Sequence, residues 1–276
     1  MRVDTKPTTL LASLTIRWCV VEKTKIRWCD STWNVMTGCS RISPGCDNCY
    51  AESMMEGRFR NAFPNGFVPT FKANKLNQPD SWKTPQRVFV NSLSDIHHDD
   101  FTVEQVDAVY DKMVAVDRHD YLVLTKRPQR MAGYFNGADG WLARRNRTEV
   151  PSHIWLGCSI ESDRYTFRAD HLRKIPVTTR FISAEPLLGP LPSLNLDGIG
   201  WLIVGGESGN GTHNYRKMDM DWARHLRTLA EQTGTPLFYK QDSGTRTELR
   251  TQLDGTTIEQ WPHPHPTTRT PTLFPT

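Results

Sequence analysis

Three cysteines lie within eleven positions near the start of the chain. Cys39, Cys46 and Cys49 are separated by glycine, proline and polar residues in the string TWNVMTGCSRISPGCDNCYAE, residues 32–52. Thiolates are soft ligands, and the metals that select them are zinc, copper(I) and the irons of iron-sulfur clusters. Four thiolates complete a tetrahedral zinc site or a cluster, whereas three leave one position free. The triplet therefore indicates metal chemistry with an open coordination position.

The residues between these cysteines favour a reactive cluster over a structural metal. The free iron of a four-iron cluster can bind a small molecule. Gly38, Pro44 and Gly45 fit a loop that wraps closely around a bulky inorganic group, because glycine reaches backbone angles that other residues avoid. Zinc is the alternative, and its fourth ligand would be one of Cys19, Cys29, His97 and His98. Disulfide pairing is disfavoured, since disulfide scaffolds are short and dense in cysteine, and most of this long chain has only Cys158.

The composition is that of an ordinary globular protein. Of 276 residues, 37% are hydrophobic and 23% are charged, and this length often forms a single α/β barrel. The sequence has neither an apolar run long enough to span a membrane nor a secretory signal, so we expect a cytoplasmic protein without a membrane partner. The net charge of +4 permits nucleic-acid binding without requiring it.

Both ends of the chain are peripheral in this prediction. The string IRWC occurs at residues 16–19 and again at 26–29, which either a short duplication or a translation start near Val20 or Val21 would explain. We assign residues 1–25 to an N-terminal extension that is expected to be disordered. Residues 246–276 form a C-terminal extension, and its proline- and threonine-rich tail from residue 262 is expected to be disordered. Residues 26–245 remain as the main domain.

Seven apolar runs, each followed by polar residues, predict seven β-strands. Continuous apolar runs are typical of strands buried on both faces, as in a parallel sheet. The runs are KIRWCDSTWNVM (25–36), RVFVNSLSD (87–95), YLVLTKR (121–127), HIWLGCSIE (153–161), RFISAEP (180–186), WLIVGGESG (201–209) and PLFYKQD (236–242).

Segments with helical periodicity lie between these strands. Residues 102–116 repeat apolar side chains at helical spacing, and Thr102 with Gln105 predicts a capping box at the start. Similar segments span residues 164–173 and 219–231. Alternation of strand and helix at intervals of roughly 30 residues is typical of successive βα units. The predicted fold is α/β, a partial or full barrel of parallel strands, with an open doubly wound sheet as the alternative.

Polar side chains follow almost every predicted strand. The carboxyl ends of parallel strands share one edge, where such folds place their active sites, so we expect these residues to converge, although any single one of them could instead cap a helix or solvate a loop. They are Asn91, Ser92, Ser94 and Asp95; Thr125, Lys126 and Arg127; Ser159 and Glu161; Ser183 and Glu185; Gly205, Gly206 and Glu207; and Lys240 and Gln241.

The string IRWCDSTWNVMTGCSRISPGCDNCYAE resembles the opening of the phage-associated three-cysteine-motif proteins, a family of unassigned function related to the radical S-adenosylmethionine (SAM) enzymes. The later strings NSLSD, LTKRP, LGCSIE, ISAEPLLGP, IVGGESG and YKQ are similar to that family's other blocks in order and spacing. The resemblance covers roughly residues 26–245. It implies a phage protein that acts in the host cytoplasm.

The resemblance also implies a partial barrel of the radical SAM type with a [4Fe-4S] cluster on Cys39, Cys46 and Cys49. SAM would bind the fourth iron, and its reductive cleavage, with an electron from an external reductant, would give methionine and a 5′-deoxyadenosyl radical that abstracts hydrogen from a substrate. Two features depart from the commoner motif: the spacing is CxxxxxxCxxC instead of CxxxCxxC, and Tyr50 follows the last cysteine instead of preceding it. Cys29 stands where the family more often has another residue, which argues against an obligatory ligand.

Sites for SAM are assigned to the strand ends by the same resemblance. Ser92, Ser94 and Asp95 follow the second strand and are expected to contact the SAM amine and carboxylate. The string Gly205 to Glu207 is similar to a glycine-glycine-acid string that holds the SAM amine, but it lies on a late strand, and a plain glycine turn is the alternative. Glu161, Glu185 and Glu207 are candidates for ribose or substrate binding, and Lys126, Arg127 and Lys240 for anions. Tyr50, Asn91, Ser159 and Ser183 complete the candidate cofactor contacts.

The predicted function is that of a radical SAM enzyme, with no catalytic residue assigned. Its substrate is expected to be a nucleotide or a nucleic-acid base, in the modification of phage DNA, because of the phage association and the slightly basic chain. The alternative is a non-catalytic nucleic-acid-binding protein in which zinc or a cluster serves structure only.

Overall fold

The computed structural model describes residues 24–57, 59–209 and 211–268. Within these ranges the chain forms nine strands and six α-helices. The strands are β1 (Ser31–Trp33), β2 (Met36–Thr37), β3 (Thr70–Phe71), β4 (Arg87–Val90), β5 (Asp120–Thr125), β6 (Ile154–Ser159), β7 (Arg180–Ala184), β8 (Trp201–Gly205) and β9 (Leu237–Gln241). The helices are α1 (Tyr50–Glu56), α2 (Val103–Ala115), α3 (Pro128–Phe135), α4 (Trp141–Arg144), α5 (Arg168–Arg173) and α6 (Met220–Thr233).

Seven of the strands form a single parallel sheet in the order β1-β4-β5-β6-β7-β8-β9. Each strand pairs in parallel with the next one along the chain, as in the register Val123↔Leu156 between β5 and β6. The order never reverses, so the sheet winds in one direction and curls into a half-barrel. A doubly wound sheet requires a reversal of strand order. The predicted partial barrel is therefore confirmed, and the doubly wound alternative is wrong.

The helices follow from local signals that the sequence carries. Helix α2 begins with the predicted capping box: the Thr102 hydroxyl accepts from the Gln105 amide, and the Gln105 side chain accepts from the Thr102 amide. Helix α6 ends at Gly234, whose φ of 67° is the left-handed conformation that glycine adopts without strain. The predicted helix at 164–173 is shorter in the structure, because a 3-10 turn at Asp163–Tyr165 precedes α5.

The two faces of the sheet carry different side chains. Val88, Tyr121 and Leu156 belong to the main core beneath the helices, and Cys158 lies on this face as a packing residue. Alternate positions form a second cluster on the concave face, which includes Phe89, Leu122, Trp155, Phe181, Ile203 and Phe238. Because side chains alternate along a strand, the next positions on this concave face toward the carboxyl ends are polar residues such as Lys126, Ser159 and Glu185.

Two short strands and the C-terminal residues complete the described structure. Strands β2 and β3 pair antiparallel, with Met36 opposite Phe71, a pairing that the sequence analysis did not predict. Residues 262–268 pack against the sheet, contrary to the expected disorder: His263 bonds the Thr179 hydroxyl at 2.7 Å and His265 bonds Asp30 at 2.8 Å. Imidazole rings make these contacts, which a compositional argument does not detect. Residues 1–23 and 269–276, where the rest of the predicted disorder falls, lie outside the described residues.

Among the described residues, no helix is both long and apolar enough to cross a lipid bilayer.

Candidate metal centre and active site

The three cysteines lie on a loop that follows β2. Gly38 starts this loop with a φ of 82°, and a Cβ atom there would lie 2.2 Å from the Val68 carbonyl oxygen, so only glycine fits. The Cys39 amide donates to the Phe67 carbonyl at 3.1 Å. A 3-10 turn at Pro44–Cys46 follows, and α1 begins directly after Cys49. All three thiols are free and half-buried. We call residues 38–50 the cysteine loop.

The cysteine loop lies across the carboxyl ends of the sheet strands. Beyond β4, the Ser94 hydroxyl donates to the Gly38 carbonyl at 2.6 Å, and the Tyr50 hydroxyl donates to the Ser92 carbonyl. Beyond β6, a Cβ atom on Gly45 would lie 3.2 Å from the Glu161 carboxyl carbon. Beyond β8, the Asn48 amide donates to Glu207 at 2.9 Å. The structure therefore brings the three cysteines together with the predicted polar strand ends.

Asp95 joins the ends of β4 and β5. One carboxylate oxygen accepts from the Thr125 hydroxyl at 2.7 Å and the His97 amide at 3.0 Å. The other accepts from the Lys126 amide at 3.0 Å and from Arg127 Nη1 at 3.2 Å. Four donors occupy this buried carboxylate, which is 7% exposed as a residue. The structure thus uses Asp95 to hold neighbouring groups of the protein in position.

Arg127 connects Asp95 to the first cysteine. Its Nη1 atom also lies 3.6 Å from Cys39 Sγ, and its Nη2 atom donates to the Ser40 carbonyl at 3.2 Å and to the Ser40 hydroxyl at 2.9 Å. The Ser40 hydroxyl in turn contacts His98 Nε2 at 2.7 Å. The guanidinium is therefore held along two edges, one against the sheet and the other against the cysteine loop.

Glu207 and Arg216 hold the other part of the cysteine loop. The Arg216 guanidinium forms an ion pair with Glu207, contacts Asp47 at 3.1 Å and donates to the Pro44 carbonyl at 2.8 Å. Burial would raise the pKa of Glu207, but the hydrogen bonds from Arg216 and Asn48 outweigh it and keep this pKa below its ordinary value. An ionised Glu207 is thus the acceptor that fastens this part of the loop.

Other predicted contacts beyond β4 fasten the backbone. Asn91 has a φ of 57°, and its side-chain oxygen accepts from the Met36 amide at 3.0 Å. The Ser92 hydroxyl donates to Asn34 at 3.1 Å. Together with the bond from Ser94 to Gly38, these contacts tie the end of β4 to the start of the cysteine loop.

Glu161 and Lys126 are two polar side chains near the loop that keep an atom without a protein partner. Glu161 is fully buried, and Oε2 accepts from Arg168 at 2.7 Å, while the buried Oε1 atom has no hydrogen-bond partner in the described ranges. The Lys126 ammonium, half-buried, likewise has no hydrogen-bond or ion-pair partner among the residues that the structure describes. One acceptor and one cation without protein partners therefore lie near the cysteine loop.

The remaining predicted residues lie along the concave face. Lys240 on β9 forms an ion pair with Glu185, which follows β7, and Ser159 and Ser183 are buried opposite each other in register. Gly205 lies against the Glu185 and Lys240 side chains, with an added Cβ atom at 3.4 to 3.5 Å. A Cβ atom on Gly206 would lie 2.3 Å from the Ser243 amide nitrogen, so close backbone packing explains that glycine.

Two cations offset the effect of burial on the thiols. Burial raises the pKa of Cys39 and of Cys49. At Cys39 the charge of Asp95 adds to this rise, while the charge and the hydrogen bond of Arg127 act against it. At Cys49 backbone hydrogen bonds at Glu52 and Ala51 act against the rise, followed by the charge of Lys126. Since the thiolate is the form that binds metals, these cations favour the ligand form of the two cysteines.

The alternative zinc ligands have other partners or positions. His97 is buried against Tyr110, whose hydroxyl lies 3.0 Å from Nε2, and burial lowers the pKa of His97 to about 4. His98 contacts Ser40, Cys29 belongs to the aromatic cluster of the concave face, and Cys19 lies outside the described residues. Within those residues, no group of three or more His, Cys, Asp or Glu side chains is arranged to hold one metal ion. A four-iron cluster does not require its cysteine ligands to converge on one point, because each thiolate binds a different iron.

Several residues of the site were missed by the sequence analysis. Arg216, Asn48 and Ser40 hold the cysteine loop, and Arg168 holds Glu161. Arg168 lies seven residues after Glu161, across a turn and the start of α5, and no spacing rule connects the two. Arg216 lies in an irregular segment before α6, where the sequence offers no periodic signal.

Comparison with known proteins gives a family and a set of distant structures. A family model described as a protein of unknown function, DUF5131, matches residues 23–262. No curated protein matches this sequence.

Solved structures of spore photoproduct lyase are similar to this chain. One variant of that lyase has 11% identity and a TM-score of 0.44, with 78% of this chain and 65% of that chain covered. A complex with dinucleoside spore photoproduct has 12% identity and a TM-score of 0.43, with 79% and 65% covered. A variant with bound AdoMet and the same dinucleoside has 13% identity and a TM-score of 0.43, with 79% and 65% covered. This chain thus spans 65% of the length of these lyase chains.

Proposed function

The chain belongs to the DUF5131 family, whose function is unknown, and we propose that it is a radical SAM enzyme that binds a [4Fe-4S] cluster through Cys39, Cys46 and Cys49. The observation that carries the proposal is the position of three free thiols on one loop at the carboxyl end of a parallel half-barrel. When bound, the cluster would supply the electron that cleaves SAM to methionine and a 5′-deoxyadenosyl radical. The resemblance of the cysteine strings to radical SAM relatives supports the same class.

The residues of the chain would bind and orient the ligands. Arg127 and Lys126 would favour the thiolate forms of Cys39 and Cys49, as their charges do in the structure. The open Oε1 atom of Glu161 would accept a hydrogen bond from a hydroxyl or an ammonium group. The free ammonium of Lys126 would pair with a carboxylate or phosphate.

The assignment of SAM contacts from the sequence changes for four residues. Tyr50, Ser92 and Ser94 donate their hydroxyl groups to the protein, and we assign them to holding the cysteine loop beside the ligand. We assign Asp95 to positioning, because four protein donors already occupy its carboxylate. The pair of Glu185 and Lys240 lies farther along the concave face and remains a candidate for contacts with the substrate.

We propose a nucleotide or a nucleic-acid base as the substrate, on the basis of a cationic segment next to Cys39. Residues 59–83 contain four basic side chains and one acidic residue, Asp80, which pairs with Lys112. Lys72 lies over the Phe63 ring at 4.4 Å, and Phe59 is 45% exposed. Cations beside aromatic rings suit single-stranded nucleic acid, which offers phosphates and stacking bases. Phe67 of this segment accepts from the Cys39 amide, so the segment adjoins the site.

Formation of 5′-deoxyadenosine tests the enzyme class. Anaerobically reconstituted protein, incubated with dithionite and SAM, should produce 5′-deoxyadenosine, detected by chromatography and mass spectrometry. The Cys46→Ala variant should lose the brown chromophore and the product, whereas Cys29→Ala should keep both. One zinc per chain and no iron, in protein grown with ample iron and purified without oxygen, would contradict the proposal and support a structural metal.

Binding of single-stranded DNA tests the substrate class separately. We expect Lys75→Glu to weaken the binding of a labelled oligonucleotide several-fold and to flatten its salt dependence, because one phosphate contact is lost. Lys174→Glu is the matched control, since Lys174 is exposed and follows the C-terminal end of α5. It therefore lies toward the amino-terminal ends of the strands, away from the cysteine loop. Fluorescence anisotropy over a salt series measures both. Equal effects of the two variants would contradict a binding surface at residues 59–83.

A further inference from the structure

Arg127 is the one arginine in the described residues whose guanidinium contacts a thiol of the cysteine loop. Its Nη1 atom lies 3.6 Å from Cys39 Sγ, within hydrogen-bond range for sulfur. An arginine side chain stays protonated at any pH that a protein tolerates. The contact therefore places a permanent donor and a permanent positive charge beside one predicted ligand of the cluster.

The surroundings of Arg127 fix the direction of this donor. Asp95 accepts from the same Nη1 atom at 3.2 Å, and both side chains of the pair are less than one tenth exposed. On the other edge, the Ser40 carbonyl and hydroxyl accept from Nη2. The Arg127 amide donates to the Thr125 hydroxyl at 2.8 Å, which fixes the backbone. With both edges engaged, the guanidinium cannot turn away from Cys39 without breaking its hydrogen bonds to Asp95 and Ser40.

Hydrogen bonds to the sulfurs are one of the means by which a protein sets the reduction potential of an iron-sulfur cluster. A donor that withdraws electron density from a thiolate stabilises the reduced cluster more than the oxidised one, because the reduced cluster carries more negative charge. The positive charge of the guanidinium acts in the same direction. The charge of Asp95 outweighs that of Arg127 at Cys39. The effect of Arg127 on the cluster therefore comes mainly from its N–H, which lies next to the sulfur.

We propose that Arg127 is a positioning residue that raises the reduction potential of the cluster through Cys39. The inference rests on the proposed function, since it requires a cluster on the three cysteines. Arg127, at the end of β5, thus adjusts how readily the cluster accepts its electron, and Asp95 holds Arg127 in place.

Arg216 offers a matched control within the same loop. Its guanidinium also pairs with a buried carboxylate and contacts the cysteine loop, but it reaches the Pro44 carbonyl and Asp47, and no thiol within the described ranges. Arg127→Met and Arg216→Met therefore remove the same charge and similar volume from two sides of the loop. Only the first removes a donor to sulfur.

The test is a redox titration of the reconstituted proteins, monitored by electron paramagnetic resonance, with iron and sulfide measured for each. We expect Arg127→Met to shift the midpoint potential to a more negative value and Arg216→Met to leave it near that of the wild type. Arg127→Lys, which keeps the charge but lacks the planar fork, should fall between wild type and Arg127→Met, and it provides the measurement if Arg127→Met fails to fold.

The outcomes separate this inference from the proposed function. Iron-loaded Arg127 variants with the wild-type potential, or an equal shift in Arg216→Met, would overturn the inference and leave the cluster assignment intact. A wild-type protein that binds no iron after anaerobic reconstitution would overturn both.

Discussion

The cysteine loop is held on two sides by arginine–carboxylate pairs that differ in burial and in what they touch. Near Cys39, the side chains of Arg127 and Asp95 are 8% and 9% exposed, and the guanidinium contacts the thiol. Near Cys46, Glu207 is 4% exposed but Arg216 is 38% exposed, and its contacts are a carbonyl and a carboxylate. The first pair is part of the interior, whereas the second is open to solvent on one side.

This difference follows from where each arginine lies in the chain. Arg127 stands between β5 and α3, so the sheet and a helix fix its backbone on both sides. Arg216 lies in the irregular segment between β8 and α6. The comparison indicates that the ion pair on the Cys39 side of the loop is buried in the barrel. The ion pair of Arg216 with Glu207, on the Cys46 side, is accessible to solvent. Disturbing the first should therefore cost more stability than disturbing the second.

Asp95→Ala should have the largest effect. It leaves the buried Arg127 guanidinium without its carboxylate and also removes the acceptor for the Thr125 hydroxyl, so we expect a loss of about 3–5 kcal/mol in the free energy of unfolding. Glu207→Ala should cost about 1–2 kcal/mol, since water can solvate Arg216. Urea unfolding of the iron-free proteins at neutral pH measures both. A loss at Glu207 that equals the loss at Asp95 would break the comparison.

Gly38→Ala should have the next largest effect, and Gly45→Ala is its counterpart on the other side of the loop. A side chain at Gly38 meets the Val68 carbonyl and a left-handed backbone, for an expected loss of about 2–4 kcal/mol. At Gly45 the added Cβ atom meets the Glu161 side chain at 3.2 Å, which costs roughly 1 kcal/mol or less if that side chain shifts slightly. Thermal unfolding followed by circular dichroism compares the two. Similar losses would show that the loop is equally constrained at Gly38 and at Gly45.

The pH dependence of stability isolates the contribution of the ion pair between Glu207 and Arg216. Because the folded pKa of Glu207 lies below its ordinary value, the ionised carboxylate contributes stability that is fully present above about pH 5 and is lost as the pH falls through the folded pKa. We expect Glu207→Gln to be about 1 kcal/mol less stable than wild type at neutral pH, and this difference to vanish in acid. Urea unfolding from neutral pH to about pH 3 measures it. A difference that stays constant with pH would point to packing instead of charge.

Ser40→Ala should have the smallest effect of the set. Its hydroxyl accepts from Arg127 and contacts His98, but Ser40 is exposed, so we expect a loss of about 0.5–1 kcal/mol. Ser43→Ala is the control near Cys46, because its hydroxyl makes only a 3.9 Å contact with Cys46 Sγ, and its loss should be close to zero. Chemical unfolding of the two variants side by side gives the comparison. A larger loss at Ser43 would reverse the assignment of the stronger attachment to the Cys39 side.

Much of the fold could be predicted because its signals are local. The strand from Arg87 and the capping box at Thr102 each depend on a few consecutive residues, and the structure contains both. The convergence of the polar strand ends was predictable as well, since parallel strands present their carboxyl ends at one edge. The pairing of β2 with β3 was not, because two-residue strands carry no periodic pattern.

The contacts within the site were far less predictable. The sequence predicts that Asp95 binds a ligand. Only the position of β5 shows that Thr125, Lys126 and Arg127 donate hydrogen bonds to its carboxylate. In the sequence, Glu161 resembles any other acidic residue at a strand end. Only its surroundings show that one oxygen accepts from Arg168 and that the other has no hydrogen-bond partner among the described residues. Such facts depend on partners that are distant in sequence.

The sequence by itself predicted metal chemistry and determined the kind of scaffold, because cysteine spacing and apolar periodicity are properties of neighbouring residues. Only the tertiary structure decided which polar groups support the loop and which have no protein partner. A buried carboxylate at the strand ends accepts hydrogen bonds from the donors that the packed strands place within about 3 Å. The difference between Arg127 and Arg216 is of this second kind: two identical side chains differ in what they touch because the sheet places one against a sulfur and a loop places the other against a carbonyl.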